Sequence, residues 1–492
     1  MRNETIEGYR LSPQQERLWF LQQPGAGGGL PQRAACAILI EGELLPEVLR
    51  GALSRVVDRH EILRTNFELF PAMTVPVQVI ADHGALEMQE SDASELTADV
   101  QEAGIDSQME EMLQQRPGDA APLNVSLVKL STRKHLLALS LPALCVDRTG
   151  IANLIREIAD AYGACCGVEA ETSAEALQYA DVAEILNELL ESEDTQAGRD
   201  YWRDEDFSAF RLARLPYEPQ TPDERTLELR SVSLRIAGET LAQVEELARK
   251  YQTTTAALLL ACWQTLLWRL SGQAEIIVGT TYDCRTYAGL DKSIGLFAKH
   301  LPIRSQFKAS TSFSTILRHV DKQMAERAKW QEYFTWEHLA QNDAGHDGIG
   351  FFPFAFELAE AHPEYTCAGA SFSIYKEQVT VERFKVKLCC SRSNGVLIAE
   401  LYYDSHLFGA EAIERLAGQY QSLLQSALSN PEVQISKLEL LGEAERQQLL
   451  FEWNQTTAAT PASCLHQLFE AQVECAPDAV AVIFEEQQLS YG

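Results

Sequence analysis

The first strongly patterned stretch of the chain is LSPQQERLWFLQQ, where Ser12 precedes apolar positions at Leu18, Trp19 and Leu21. A serine ahead of such a run predicts a capped helix, because its side chain accepts from the free N–H groups of the first turn. Gly25 to Gly29 end that helix. AACAILIEG then reads as a strand, and LLPEVLRGALSRVVDRHEILR carries leucine and valine at helical spacing. PVQVI and HLLALSLPAL are further strand candidates, and the second leads through CVDRTG into the helical IANLIREIADAYG. Strand followed by helix marks an α/β protein. Polar residues between a strand end and a helix start are a common seat of chemistry.

Further on, LQYADVAEILNELLESEDTQAGRDYW predicts one long helical segment, and LPYEPQTPDE a Pro-rich loop near the junction of two lobes. The second lobe opens with the strand SVSLRI and the helix GETLAQVEELARKY. TTAALLLACWQTLLWRLSG predicts a buried helix and EIIVGTTYD a strand. VLIAELYYDS and AEAIERLAGQYQSLLQSAL close the lobe as strand and helix. A Thr/Ala/Pro linker, NQTTAATPAS, follows. No repeat of solenoid length is evident.

With 492 residues the chain is longer than one core normally serves, which fits two lobes. Its 46% hydrophobic and 23% charged residues are those of a chain that folds in water. Asp and Glu number 71 against 41 Lys and Arg, a formal charge of -30 that repels phosphate backbones and anionic lipid, so no nucleic acid partner is expected. The most apolar helix is interrupted by Gln264 and Arg269, and the N-terminus lacks the apolar run of a signal peptide. The expectation is a cytoplasmic protein with no membrane partner. Eleven cysteines occur without a C-x-x-C spacing, so packed, reduced thiols are expected and no metal site.

Four segments resemble, in order, the motifs of the condensation-domain family of nonribosomal peptide synthetases. These are SPQQERLW (Ser12 to Trp19), RHEILRTNF (Arg59 to Phe67), YADVAEIL (Tyr179 to Leu186) and IGLFAKHLPIR (Ile294 to Arg304). Val182 and Ile185 stand where the third motif usually has aromatics, and Lys299 and His300 where the fourth has Asn and Thr. The tail SCLHQLFEAQVECAPDAVAVIFEEQQLSYG resembles the start of an adenylation domain. The implied organisation is a short leader (1–9), an N-terminal lobe (10–180), a C-terminal lobe (181–450), and a linker with the adenylation start (451–492). The implied fold is α/β, a V-shaped pseudo-dimer of two chloramphenicol-acetyltransferase-like lobes around a tunnel. Through it, donor and acceptor peptidyl carrier proteins would present their phosphopantetheine arms, the chain itself binding no cofactor, and the acceptor amine would attack the donor thioester. The short leader implies a donor that arrives from a separate polypeptide or as an acyl-CoA.

The family centres that reaction on HHxxxDG. Aligned without gaps, LALSLPALCVDRTG puts Pro142 and Ala143 at the two histidines, keeps Asp147, and has Arg148 in place of glycine. Alanine cannot exchange a proton as an imidazole does near neutral pH, and proline fixes its own φ and lacks a donor. Heterocyclisation domains also lack the histidines, but their first aspartate would fall at Pro142. Three readings stay open: transfer or a variant of it driven by positioning of tethered thioesters, a non-catalytic scaffold docking carriers beside the downstream adenylation domain, or a free-standing acyltransferase using acyl-CoA. The resemblance implies that Asp147 pairs with Arg285 of YDCRTYAG in a structural ion pair, with a catalytic carboxylate as the alternative. Cys145 is a candidate nucleophile if Arg148 lowers its pKa, with core packing as the alternative. Lys299 and His300 are candidates for the tunnel wall or a displaced base, and the resemblance implies a structural role for His60.

Overall fold

The computed structural model describes residues 7–23, 29–84, 86–115, 121–168, 176–192, 195–207, 214–216, 218–219, 227–337, 350–360, 362–393, 395–456 and 464–492. Most of the Gly-rich break, the Pro-rich loop and the Thr/Ala/Pro linker lies outside them. The chain forms two compact units, residues 1–440 and 441–492.

Helix Pro13–Gln22 begins at Ser12, whose hydroxyl accepts from the Gln15 N–H while the Gln15 side chain accepts from the Ser12 N–H. This reciprocal cap satisfies two donors that a helix start otherwise leaves free. Arg33–Gly42 pairs antiparallel with Lys134–Pro142, and helices Pro46–Arg59 and Arg148–Cys165 pack together beside that pair. Where they meet, His60 Nε2 lies 3.2 Å from Glu157 Oε2.

Two six-stranded sheets organise the larger unit. The first runs Tyr365–Cys367, Ala370–Gln378, Arg33–Gly42, Lys134–Pro142, Asn124–Ser131, Met88–Asp92. Its first two strands come from far along the chain, and Ala370–Gln378 pairs antiparallel with Arg33–Gly42. The second sheet runs Leu229–Ile236, Val396–Asp404, Val386–Ser393, Phe354–Ala359, Glu275–Tyr282, Lys299–Gln306. Helix Thr255–Ser271 is buried throughout its middle and packs with Phe313–Lys329 and Ala410–Ser429 over this sheet. Being apolar on all sides, it is a core helix; among the described residues no helix is long and apolar enough to cross a membrane. The segment expected as one long helix is two, Tyr179–Glu191 and Gln196–Arg203. The first ends at Ser192, whose backbone turns to an extended ψ of 141°.

The three motifs around Ser12, Tyr179 and Gly295 meet in space. Ser12 Oγ lies 2.8 Å from the Tyr179 hydroxyl, which also donates to the Leu296 carbonyl. The Tyr179 ring stands edge-on to Phe297, with centroids 5.1 Å apart. It covers Gly295 so closely that a Cβ there would lie 2.0 Å from Tyr179 Cδ2.

The smaller unit contains helix Leu465–Cys475 and the hairpin Val480–Phe484 with Gln487–Ser490. Leu468, Phe469, Val482, Ile483, Phe484 and Leu489 are exposed.

Gly295→Ala should lower the urea unfolding midpoint by the equivalent of about 1–3 kcal/mol, the usual cost of overpacking a filled core. An unchanged midpoint would show that Tyr179 is free to move.

Candidate active site

Strand Lys134–Pro142 ends at a single 3-10 turn, Ala143–Cys145, before helix Arg148–Cys165 begins. The turn is held from outside: the Ala143 N–H donates to the Gln32 carbonyl, and Gln15 Nε2 donates to the Leu144 carbonyl at 3.0 Å. Ala143 is 2% exposed and Cys145 0% exposed, both within the first-sheet core. Burial pushes the Cys145 thiol well above its usual range, with Arg33 opposing only in part. The proposed lowering by Arg148 is not found, because that guanidinium reaches the other way. Its Nη2 pairs with Glu377 Oε1 at 2.7 Å, and its Nη1 lies 4.0 Å from Cys389 Sγ. A thiol that stays protonated and shielded packs; it does not attack.

Asp147 is the N-cap of that helix and accepts from the Gly150 N–H at 2.7 Å. The structure brings it together with Arg285. Arg285 Nη2 donates to Oδ1 at 2.8 Å and Nη1 to Oδ2 at 3.0 Å, and both side chains are 1% exposed. Oδ2 also accepts from the N–H groups of Phe297 and Ala298 at 2.8 and 2.9 Å. The Arg285 guanidinium lies 4.2 Å from the centre of the Phe297 ring. So the carboxylate ties a helix start of the first lobe to a loop of the second, and every lone pair is used in structure.

A cavity of about 780 Å³ opens between the sheets beside Asp147 and Arg148. Pro142, Ala143 and Cys145 are not among its lining residues, nor are Lys299 and His300, although Ala298 is. Lys299 Nζ instead donates to the Glu332 carbonyl at 3.2 Å, and burial lowers its pKa. Burial, and then Lys387, push His300 down to about 3. The structure thus places neither residue on this cavity.

The wall the sequence reading missed is charged. Glu357 and Lys387, on neighbouring parallel strands, pair at 2.9 Å. Burial opposes the Glu357 carboxylate, but Lys387 and then Arg148 outweigh it and hold Glu357 at about 2. Glu377 and His362 complete the wall toward the first sheet. The alternation in FAFELA and ASFSIYKEQ, with charges only toward the ends, is the signal that could have found these strands. Among the described residues no group of three or more His, Cys, Asp or Glu could hold a metal ion.

Asp147→Ala removes the buried carboxylate partner of Arg285, leaving it Asp283 and the Ser293 and Gly295 carbonyls, and should cost roughly 3 kcal/mol of stability. Denaturant unfolding of the full chain measures this, and a loss below about 1 kcal/mol would leave only the helix-cap contribution. The protein should also lose stability in acid. Unfolded His300 takes a proton near pH 6.5 and folded His300 only near 3, so stability present above pH 6.5 falls away as the pH drops through that window. His300→Gln should flatten the pH dependence of the urea midpoint between those values.

Residues 5–450 match the family model described as "Condensation domain". The chain is 30% identical over 494 residues to tyrocidine synthase 2 of Brevibacillus parabrevis, covering 98% of this chain and 13% of that protein. It is 28% identical over 504 residues to tyrocidine synthase 3 of the same organism, covering 99% of this chain and 7% of that protein. The chain thus spans only 7–13% of the length of these relatives. Among solved structures, a four-domain nonribosomal peptide synthetase bound to AMP and glycine has a TM-score of 0.80 at 16% identity, over 100% of this chain and 38% of that one. The X-domain from teicoplanin biosynthesis has a TM-score of 0.74 at 22% identity, over 88% and 98%. The two sheets are the two chloramphenicol-acetyltransferase-like lobes of this fold. With the family model running through both lobes and the cavity between them, the chain belongs to the condensation-domain family of nonribosomal peptide synthetases.

Proposed function

We propose that this domain handles acyl and aminoacyl thioesters carried on the phosphopantetheine arms of donor and acceptor carrier proteins, and joins them without an imidazole at the family motif. The cavity of about 780 Å³ beside Asp147 carries this reading, since its volume is that of a substrate pocket. Two tethered reactants held there gain the advantage of proximity, which can supply about 7–11 kcal/mol of a barrier. Ala143 offers nothing to the reaction, and Cys145 no nucleophile, since both are walled into the core. The lobes follow residues 10–180 and 181–450, apart from helix Tyr179–Glu191, which packs on the first core, and the two strands within 365–378 that complete the first sheet. Residues 451–492 begin an adenylation domain. That reading is supported by sequence similarity that runs over 98–99% of the chain, past residue 450 where the family match stops.

A second reading is a scaffold that docks carriers and organises its module. It is favoured by the burial of the motif turn and by Arg148, whose side chain crosses toward the second sheet where the family has glycine. One structural neighbour, the X-domain from teicoplanin biosynthesis, was solved in complex with OxyB.

The discriminating experiment loads a donor on the partner carrier and an amino acid on the acceptor carrier, and follows the product by intact-protein mass spectrometry. Transfer above the rate without the domain, kept within twofold in Cys145→Ala, is the expected result. Carrier binding with no transfer would replace it by the scaffold.

A further inference from the structure

His362 places an imidazole on the cavity wall. It stands just before the hairpin Tyr365–Cys367 and Ala370–Gln378, and its Nε2 lies 3.1 Å from Glu377 Oε1, near the end of that hairpin. The same carboxylate oxygen takes Arg148 Nη2 at 2.7 Å, from the first residue of the helix that Asp147 caps. His362 and Glu377 are mostly buried, and all three residues line the cavity with Asp147. The other Glu377 oxygen is buried without a hydrogen-bond partner, and among the described residues none bonds Nδ1 of His362.

A carboxylate only accepts, so the proton between the two groups sits on Nε2, which leaves the lone pair of Nδ1 as the basic site. An imidazole held by a carboxylate on one nitrogen, its other nitrogen without a protein partner and the residue lining a substrate-sized cavity, is the usual arrangement of a general base. The motif turn lacks any such group: its alanine is buried, and His300, the nearest imidazole along the fourth motif, lies off the cavity.

We propose that His362 is the proton acceptor of the transfer, with Glu377 and Arg148 as positioning residues; the proposal rests on the thioester-handling reading above. The acceptor amine attacks the donor carbonyl carbon, forming the C–N bond, and its proton passes to Nδ1 of His362. The C–S bond then breaks, and the proton moves on to the departing sulfur, leaving the donor arm as a free thiol and the product as an amide on the acceptor arm. Arg148, which stands where the family has glycine, thus has a purpose beside Ala143. It reaches from the old motif to the carboxylate that orients the relocated base.

The test is single-turnover transfer between loaded carriers by the full chain and by His362→Ala, His362→Gln and Glu377→Gln, read by intact-protein mass spectrometry, with carrier affinity and melting temperature measured for each. Loss of a general base is expected to slow His362→Ala and His362→Gln about 100-fold or more at unchanged carrier affinity. Free imidazole should restore part of the rate in His362→Ala, and Glu377→Gln should lie between these variants and the unaltered chain. Unaltered chain active and both His362 variants within threefold of it overturns the proposal while leaving the thioester reading intact. A slow His362→Ala that imidazole does not rescue, with a lowered melting temperature shared by His362→Gln, also overturns it, as the signature of a structural ion pair. An inactive unaltered chain that still binds carriers removes both together.

Discussion

Five donors converge on the carboxylate of Asp147: the Gly150 N–H, two guanidinium nitrogens of Arg285, and the N–H groups of Phe297 and Ala298. A buried charge is tolerable only when its partners replace the water it has lost, and here they come from both lobes. The carboxylate therefore sets where the start of helix Arg148–Cys165 sits against the loop that follows strand Glu275–Tyr282. Tyr179 locks the same loop from the side, through the Leu296 carbonyl and the face of Gly295, and Ser12 holds Tyr179. Retained residues of the first, third and fourth motifs thus form one bonded assembly with Asp147 and Arg285 at the rim of the cavity. That assembly is independent of the histidines, which explains how a chain with Pro142 and Ala143 keeps the geometry around them.

Much of this was legible in the sequence because it is local or carried by whole motifs. The Ser12 cap, the strand into the motif turn, the helix after it and the all-apolar helix Thr255–Ser271 each announce themselves within a window of a dozen residues or so. Arg285 could be named as the partner of Asp147 only through family resemblance, since spacing along the chain gives no clue to a contact between lobes. The sequence was silent where partners had to be chosen. Alternation in ASFSIYKEQ tells which faces a strand presents but not which sheet it joins, and the hairpin's place beside Arg33–Gly42 had no local signal. Lys299 and His300 were drawn to the tunnel by motif position, yet neither lines the cavity: Lys299 reaches the Glu332 carbonyl and His300 is buried within the sheet packing. Isolated charges such as Glu357, Glu377 and Lys387 acquire meaning only once the two sheets face each other.

The walls of the cavity are charged on both sides. Paired charges line its walls, Lys387 with Glu357 and Arg148 with Glu377, on strands and a helix start. Fixed ion pairs of this sort offer oriented dipoles to a reacting group without first having to reorganise. They also make the cavity hostile to a purely apolar occupant, whose entry would leave those charges without solvent.

The hairpin within residues 365–378 has a consequence for how this domain can be divided. It belongs by chain order to the second lobe and by hydrogen bonding to the first, where it covers the edge of Arg33–Gly42. A fragment ending near the lobe junction would expose that strand as a bare edge, the kind of surface that recruits foreign strands and aggregates. Chimaeras that join the front half of one relative to the rear half of another import a foreign strand into the first sheet, so compatible exchange points lie outside the domain and not at its waist.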